Sequence, residues 1–302
     1  MTKVLVAFPI EDISKVHTGL SIRRGFEALG CEVLPVCARN DFAELYNKAK
    51  KFKPDVVLCS RSPQLFHNAL KIRCLLPHIK VFTWNVDTRK NITDYGNEFG
   101  QELLGLFEAS HLVYLVVDNE VNRFNANGWK AKQLLQGIDP EIDEKRGERY
   151  KYDISFLCNN DKLHESYCDR GNLIRALQDE FGGRLNLQQA FAEDAAEVYY
   201  TSRINIGNNA SWWDGVGCSV RDFKIQGAGG FLLTTYMVGY EDAFEIGKEL
   251  DVYKSVDECV EMCRHYLCRE EERERMAEYG YVKAHEQYRY EDRCRIILGD
   301  LV

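Results

Sequence analysis

The sequence predicts two doubly wound α/β domains in series. Short apolar strands alternate with helix-like segments along most of the chain. The strands are near-continuously apolar rather than alternating, as parallel strands covered on both faces are. The rhythm then breaks at the polar run 141–151 (EIDEKRGERYK) and starts again beyond it. A chain of 302 residues suits two domains of about 150 residues each.

In the first half, KVLVAF (3–8) is the first strand and the loop PIEDISKVHTG follows it. Leu20–Leu29 has helical spacing and closes at Gly30. CEVLPVC (31–37) is the second strand, and Phe42–Phe52 a helix stopped by Pro54. DVVLCS (55–60) is the third strand, Leu65–Leu75 a helix, and KVFTW (80–84) the fourth strand. Leu103–Phe107 belongs to another helix and Leu112–Val117 is the fifth strand.

Beyond the polar run, YDISFLC (152–158) opens a second series. A helix at about 169–181 closes at Gly182-Gly183. Asn186–Leu187, RINI (203–206) and FLLTT (231–235) are further strands. Residues 257–268 and 270–287 read as two helices with polar faces, and RYEDRCRIILGDLV as an amphipathic end. The expected division is 1–145, 146–285, and a helix within 286–302 that packs back on the first domain. Doubly wound sheets bind ligands beyond their strand C-termini. With two such domains facing each other, the main cleft is expected between them.

Apolar residues are 45% of the chain and charged residues 28%, an ordinary globular composition. No apolar run approaches the roughly 20 residues of a membrane span. Met1-Thr2-Lys3 leads straight into a strand-like VLVAF, without a secretion-signal pattern. The eleven cysteines lack a framework spacing, so reduced thiols in a cytoplasm are expected. A net charge of −8 argues against broad nonspecific nucleic-acid binding while leaving room for a local basic groove.

The densest functional signal is GCSVRDFKIQGAGGFLLTT (217–235). Gly215 and Gly217 suit a loop around a diphosphate, because glycine lets the backbone approach closely. Ser219 suits the cap of the next helix, whose free N–H groups and dipole favour phosphate. Arg221 adds a bidentate cationic donor. Gly229, in the tight turn before the buried strand, is a further candidate donor contact. The competing reading is an ordinary capped helix with no ligand. Lys162 and Arg170, at the second-domain strand ends, are further candidate cations. His17, in the loop after the first strand, suits proton transfer or acceptor binding, or is an exposed loop histidine. Asp87, in NVDTR after the fourth strand, either orients an acceptor and acts as base or caps the next helix.

Trp212-Trp213 can stack on a base or sugar, or pack in the core. Cys259, Cys263 and Cys268 lack a clear fourth zinc ligand, although His265 is near, and read as buried thiols. Arg269–Arg275 reads as a solvated helix face.

An ordered series of segments resembles the CgeB-like (spore maturation) glycosyltransferases of the GT-B class. It comprises YDISFLC, RINIG, SVRDFKIQGAGGFLLT, YKSVDECVEMCRHYL and RERMAEYGYVKAHEQYRYEDRCRIIL. RRGFEALG and WNVDTR match more loosely in the first domain. The resemblance implies two Rossmann-like domains facing across a cleft, with a nucleotide-sugar donor on the second and an acceptor on the first. It also implies transfer of a sugar to a hydroxyl, and leans toward retention of configuration. Where the family usually carries Glu, in the pattern R-x-F-E, this chain has Lys224. A carboxylate accepts two ribose hydroxyls and an ammonium only donates, so Lys224 implies an altered donor, an extra phosphate contact, or lost activity. No Asp-x-Asp motif is present to hold a metal on a diphosphate. Arg, Lys and helix N–H groups are the consistent leaving-group stabilisers, and no cofactor or metal is expected. The acceptor is left open among saccharide, protein and modified nucleic acid. The alternatives are a nucleotide-sugar-binding protein without transferase activity and a DNA-modifying enzyme. The latter needs a basic strip, for which Arg23, Arg24, Lys48, Lys50, Lys51, Lys53, Arg89 and Lys90 are available.

Overall fold

The computed structural model describes residues 1–8, 18–36, 39–86, 98–158, 170–209 and 217–301. It divides into two compact units, Met1–Gln136 with Tyr290–Val302, and Gly137–Arg289. The polar run 141–151 therefore lies inside the second unit.

The first unit runs β1 (Lys3–Ala7), α1 (Thr18–Ala28), β2 (Glu32–Pro35), α2 (Leu45–Phe52), β3 (Val56–Ser60) and α3 (Phe66–Leu75). It continues β4 (Lys80–Asn85), α4 (Glu98–Ala109), β5 (Leu112–Leu115), α5 (Asp118–Ala126) and β6 (Ala131–Gln133). The sheet order is β2-β1-β3-β4-β5-β6, parallel throughout. Successive strand residues enter opposite cores. Leu5, Ala7, Val57 and Val81 pack with Leu45 and Ala49 of α2, Ile72 of α3 and Phe107 of α4. Val4, Val6, Leu58 and Trp84 pack with Ile22 and Phe26 of α1.

This two-faced arrangement corrects the idea of one basic strip. Arg23 and Arg24 stand on α1, whereas Lys48, Lys50 and Lys51 stand on α2, across the sheet. Arg23 is also bonded to Glu27 at 2.7 Å. Arg89 and Lys90 lie outside the described residues.

The second unit runs β7 (Tyr152–Leu157), α6 (Arg170–Phe181), β8 (Leu185–Gln188), α7 (Ala192–Thr201) and β9 (Ser202–Ile206). Then come α8 (Val220–Gly227), β10 (Leu232–Thr235), β11 (Asp251–Tyr253), α9 (Val256–Leu267) and α10 (Glu270–Gln287). Its sheet order is β11-β10-β9-β7-β8, again parallel. The order reverses between β7 and β9, the place where a doubly wound sheet opens a crevice for ligands.

The last helix, α11 (Tyr290–Gly299), belongs to the first unit and packs on α1. Gly25 permits this contact: a Cβ there would stand 2.9 Å from the Cys294 sulfur and from the Tyr290 main chain.

The charged run 269–275 is not uniformly solvated. Arg273 is 2% exposed and donates to the Tyr266 carbonyl, so α10 sends one arginine into the core. Cys259 and Cys263 are free thiols buried in the same core, within hydrogen-bond reach of each other, while Cys268 is exposed. No helix among the described residues is long and apolar enough to cross a membrane.

Candidate active site

The local sequence explains why α8 starts where it does. The Ser219 side chain accepts from the Arg221 N–H at 3.3 Å, and the Asp222 side chain accepts from the Ser219 N–H at 2.9 Å. This S-x-x-D pairing is a capping box, which satisfies two helix-end donors and fixes the direction of entry. Gly217 and Cys218, both buried, lead into it. Asp222 also places a negative group in the first turn, where the helix dipole favours one.

Asp222 is fully buried beneath the turn. Its Oδ2 accepts from the Tyr240 hydroxyl at 2.6 Å and from Asn209 Nδ2 at 3.4 Å, besides Ser219. Its Oδ1 has no hydrogen-bond partner among the described residues. Burial pushes this carboxyl up to about 6, against the opposing pull of Tyr240 and Arg221. The folded pKa is raised, so the folded state holds this proton more tightly than the unfolded chain does. The contribution to stability is fully present below about pH 4 and is lost as pH rises through about 6. Asp222→Asn cannot titrate. It should therefore gain on wild type between pH 4 and 6 by up to about 3 kcal/mol, then run parallel to it. Urea denaturation at four pH values measures this, and a pH-independent gap would refute it.

Two arginines meet at the reversal point of the second sheet. Arg170 opens α6, is 7% exposed, and donates from Nε to Asn208 Oδ1 at 3.2 Å. Arg221, in the first turn of α8, donates from Nη1 to the Asn208 carbonyl at 3.5 Å and lies in hydrogen-bond reach of Tyr199. Both guanidinium charges act on the buried thiol of Cys158, just beyond β7. Burial raises that thiol's pKa and the two cations pull it down. The result is a concentration of positive charge beside two helix N-termini, the arrangement that attracts phosphate.

Lys224 and Gly229 are placed elsewhere. Lys224 stands one turn beyond Arg221 and its charge acts on Asp143, a buried carboxyl that desolvation pushes up to about 6. This lysine thus has an acidic neighbour inside the protein, within electrostatic reach. Gly229 lies past the opposite end of α8, about 12 Å from the cap at 1.5 Å per residue. Its φ of +73° and the Lys145 side chain, 2.8 Å from a would-be Cβ, explain the glycine as a turn residue. Sequence reasoning missed Asn208, Asn209, Asp222 and Tyr240. The available signals were a polar Asn-Asn pair directly after a buried strand and the S-x-x-D spacing. His17, Asp87, Lys162, Gly215 and the Trp212-Trp213 pair lie outside the described residues. Among the described residues, no group of three His, Cys, Asp or Glu side chains is arranged to hold a metal ion.

Comparison with known proteins adds to this geometry. Residues 161–299 match the family described as glycosyl transferase-like. No curated protein sequence matches the chain. Sucrose-phosphate synthase from Thermosynechococcus elongatus superposes with a TM-score of 0.70 at 6% identity, covering 100% of this chain and 98% of that one. Anabaena HepE, solved in complex with UDP-glucose, gives 0.69 at 10% identity, covering 100% and 99%. The UDP-GlcNAc 2-epimerase from Neisseria meningitidis, bound to UDP-GlcNAc, gives 0.56 at 12% identity, covering 99% of each chain. The chain thus has the GT-B fold of two parallel α/β domains, and its residues 161–299 are similar to the glycosyl transferase-like family.

Proposed function

We propose that this protein transfers a sugar from a nucleoside-diphosphate donor to an acceptor hydroxyl without a metal ion. The observation that carries the reading is the convergence of Arg170 and Arg221 beside Cys158, at the starts of α6 and α8. Charge that develops on a departing diphosphate would meet preorganised donors there. The glycosyl transferase-like match across 161–299 supports the same chemistry. So do relatives in fold that were solved with UDP or UDP-glucose.

In this reading Ser219, Gly217 and Gly215 shape the loop around the diphosphate, and Arg221, Arg170 and Lys162 meet its charge. Lys224 tunes the site through Asp143 rather than by touching phosphate. His17 and Asp87, on the first domain, bind the acceptor hydroxyl and take its proton. The CgeB-like relationship belongs to this proposal too. A saccharide or protein acceptor fits better than DNA, because the basic residues of α1 and α2 fall on opposite faces of their sheet.

A thermal-shift screen over nucleotides and nucleotide sugars tests the reading, since a ligand of the folded state raises its melting temperature. The expected result is a shift with at least one nucleoside diphosphate and its sugar conjugate, unchanged by EDTA. Product analysis then separates the outcomes. A glycosylated acceptor with released nucleoside diphosphate supports transfer. An isomerised nucleotide sugar, or binding with no turnover for any acceptor, replaces it with an epimerase or a binding protein.

A further inference from the structure

Asn208 follows β9 at the reversal point of the second sheet and is 7% exposed. Its polar atoms connect parts of the site that are far apart in sequence. Oδ1 accepts from Arg170 Nε at 3.2 Å, and its main-chain carbonyl accepts from Arg221 Nη1 at 3.5 Å. Nδ2 donates to Thr235 Oγ1 at 3.5 Å, at the end of β10. Thr235 in turn donates to the Tyr253 hydroxyl at 3.2 Å, on β11. Tyr253 donates to the Gly207 carbonyl at 2.7 Å, closing the ring of bonds beside Asn208 itself. Three strand ends therefore brace Asn208, whose side-chain amide accepts from Arg170 and whose main-chain carbonyl accepts from Arg221.

We infer that Asn208 is a positioning residue that sets the two guanidinium groups for an anionic diphosphate. This rests on the nucleotide-sugar reading above. Two like charges gathered at one buried spot repel each other and need acceptors to hold them convergent. An amide and a carbonyl supply acceptor dipoles without cancelling the positive charge. A carboxylate in the same place would bind the arginines more tightly and neutralise them before any phosphate arrived. The residue type at 208 therefore separates two roles. If Asn208 only supports the fold, Asp should serve, because it keeps Oδ1 and gains charge-assisted bonds. If Asn208 prepares an anion site, Asp is the most damaging small substitution.

The test uses the full chain, with UDP and inorganic pyrophosphate as probes, and reads both melting temperature and affinity. Asn208→Ala should weaken UDP about tenfold, and Asn208→Asp about a hundredfold while melting at or above wild type. The loss from Asn208→Ala should largely vanish in an Arg170→Ala background, as coupled residues require. Thr235→Val, which removes only the brace on Nδ2, should weaken UDP in the same direction by about threefold, and decides the matter if both substitutions at 208 fail to fold. An Asn208→Asp protein that binds UDP like wild type overturns the inference alone. So do additive effects of Asn208→Ala and Arg170→Ala, or a Thr235→Val protein with wild-type affinity when it is the only variant that folds. A wild-type protein that binds neither probe overturns this inference and the nucleotide-sugar reading together.

Discussion

Arg221→Ala is expected to lower kcat/KM with the nucleotide sugar about 10²- to 10³-fold while moving the melting temperature little. The activity loss follows from what the guanidinium is placed to do. It sits in the first turn of α8, over a capped N-terminus, with Asn208 and Tyr199 fixing its plane. A preorganised donor aimed at developing negative charge is worth about 3–4 kcal/mol when removed from a water-poor site. The stability effect is small because Arg221 is half-buried and the capping box beneath it uses only its backbone N–H. Arg221→Lys should recover only part of the loss, since an ammonium lacks the planar fork that two phosphate oxygens need. Steady-state kinetics with a calorimetric scan distinguish the outcomes. Wild-type kinetics in Arg221→Ala would remove this residue from the site.

Much of the fold was legible because its strands are buried on both faces. VLVA in β1 and VVLC in β3 are wholly apolar, and each residue enters one of two cores. The helices 270–287 and 170–181 announce themselves by spacing and flanking glycines or charges. The elements that escaped are those held by context. α5 (DNEVNRFNA) has only Val121 and Phe124 as large apolar residues, in a segment rich in asparagine. β11 is three residues long and exists because Thr234 and Thr235 pair with Val252 and Tyr253.

The candidate site was legible where chemistry follows the chain and illegible where it crosses it. Ser219 and Arg221 lie four residues or fewer from the glycine loop, so local pattern finds them. Arg170 is found as a cation at a strand end, but Asn208, Thr235 and Tyr253, which the sheet brings to it from three other segments, are not. The buried partners of Asp222, Asn209 and Tyr240, are likewise assembled by tertiary structure. Lys224 shows the same dependence on tertiary structure. Its position beside Arg221 suggests phosphate, and the fold adds a second neighbour distant in sequence, the buried carboxyl of Asp143.

Gly230→Ala should destabilise the protein by about 3 kcal/mol, the upper range for forcing a methyl into a packed interior, and leave nucleotide affinity of the folded protein within about twofold. Gly227, Gly229 and Gly230 surround the turn after α8, and packing inside the protein accounts for Gly230. A Cβ there would lie 2.6 Å from the Tyr199 carbonyl and 2.6 Å from Asn205 Nδ2. Those two groups are bonded to each other at 2.9 Å, and the same amide reaches the Phe231 carbonyl at 3.3 Å. The amide therefore ties the end of α7 to the start of β10, and it is 1% exposed. A methyl group must either break that tie, leaving a buried carbonyl unpaired, or push α7 off the sheet. Neither adjustment is cheap, since unpaired buried polar groups cost about 1–3 kcal/mol each. The site is reached only through Tyr199, whose side chain meets Arg221, because Asn208 and the capping box lie at the other end of α8, and the small loss allowed above reflects that one link. Urea denaturation and UDP titration on the same preparation separate the two roles. A variant with wild-type stability and weakened UDP binding would place Gly230 at the ligand instead.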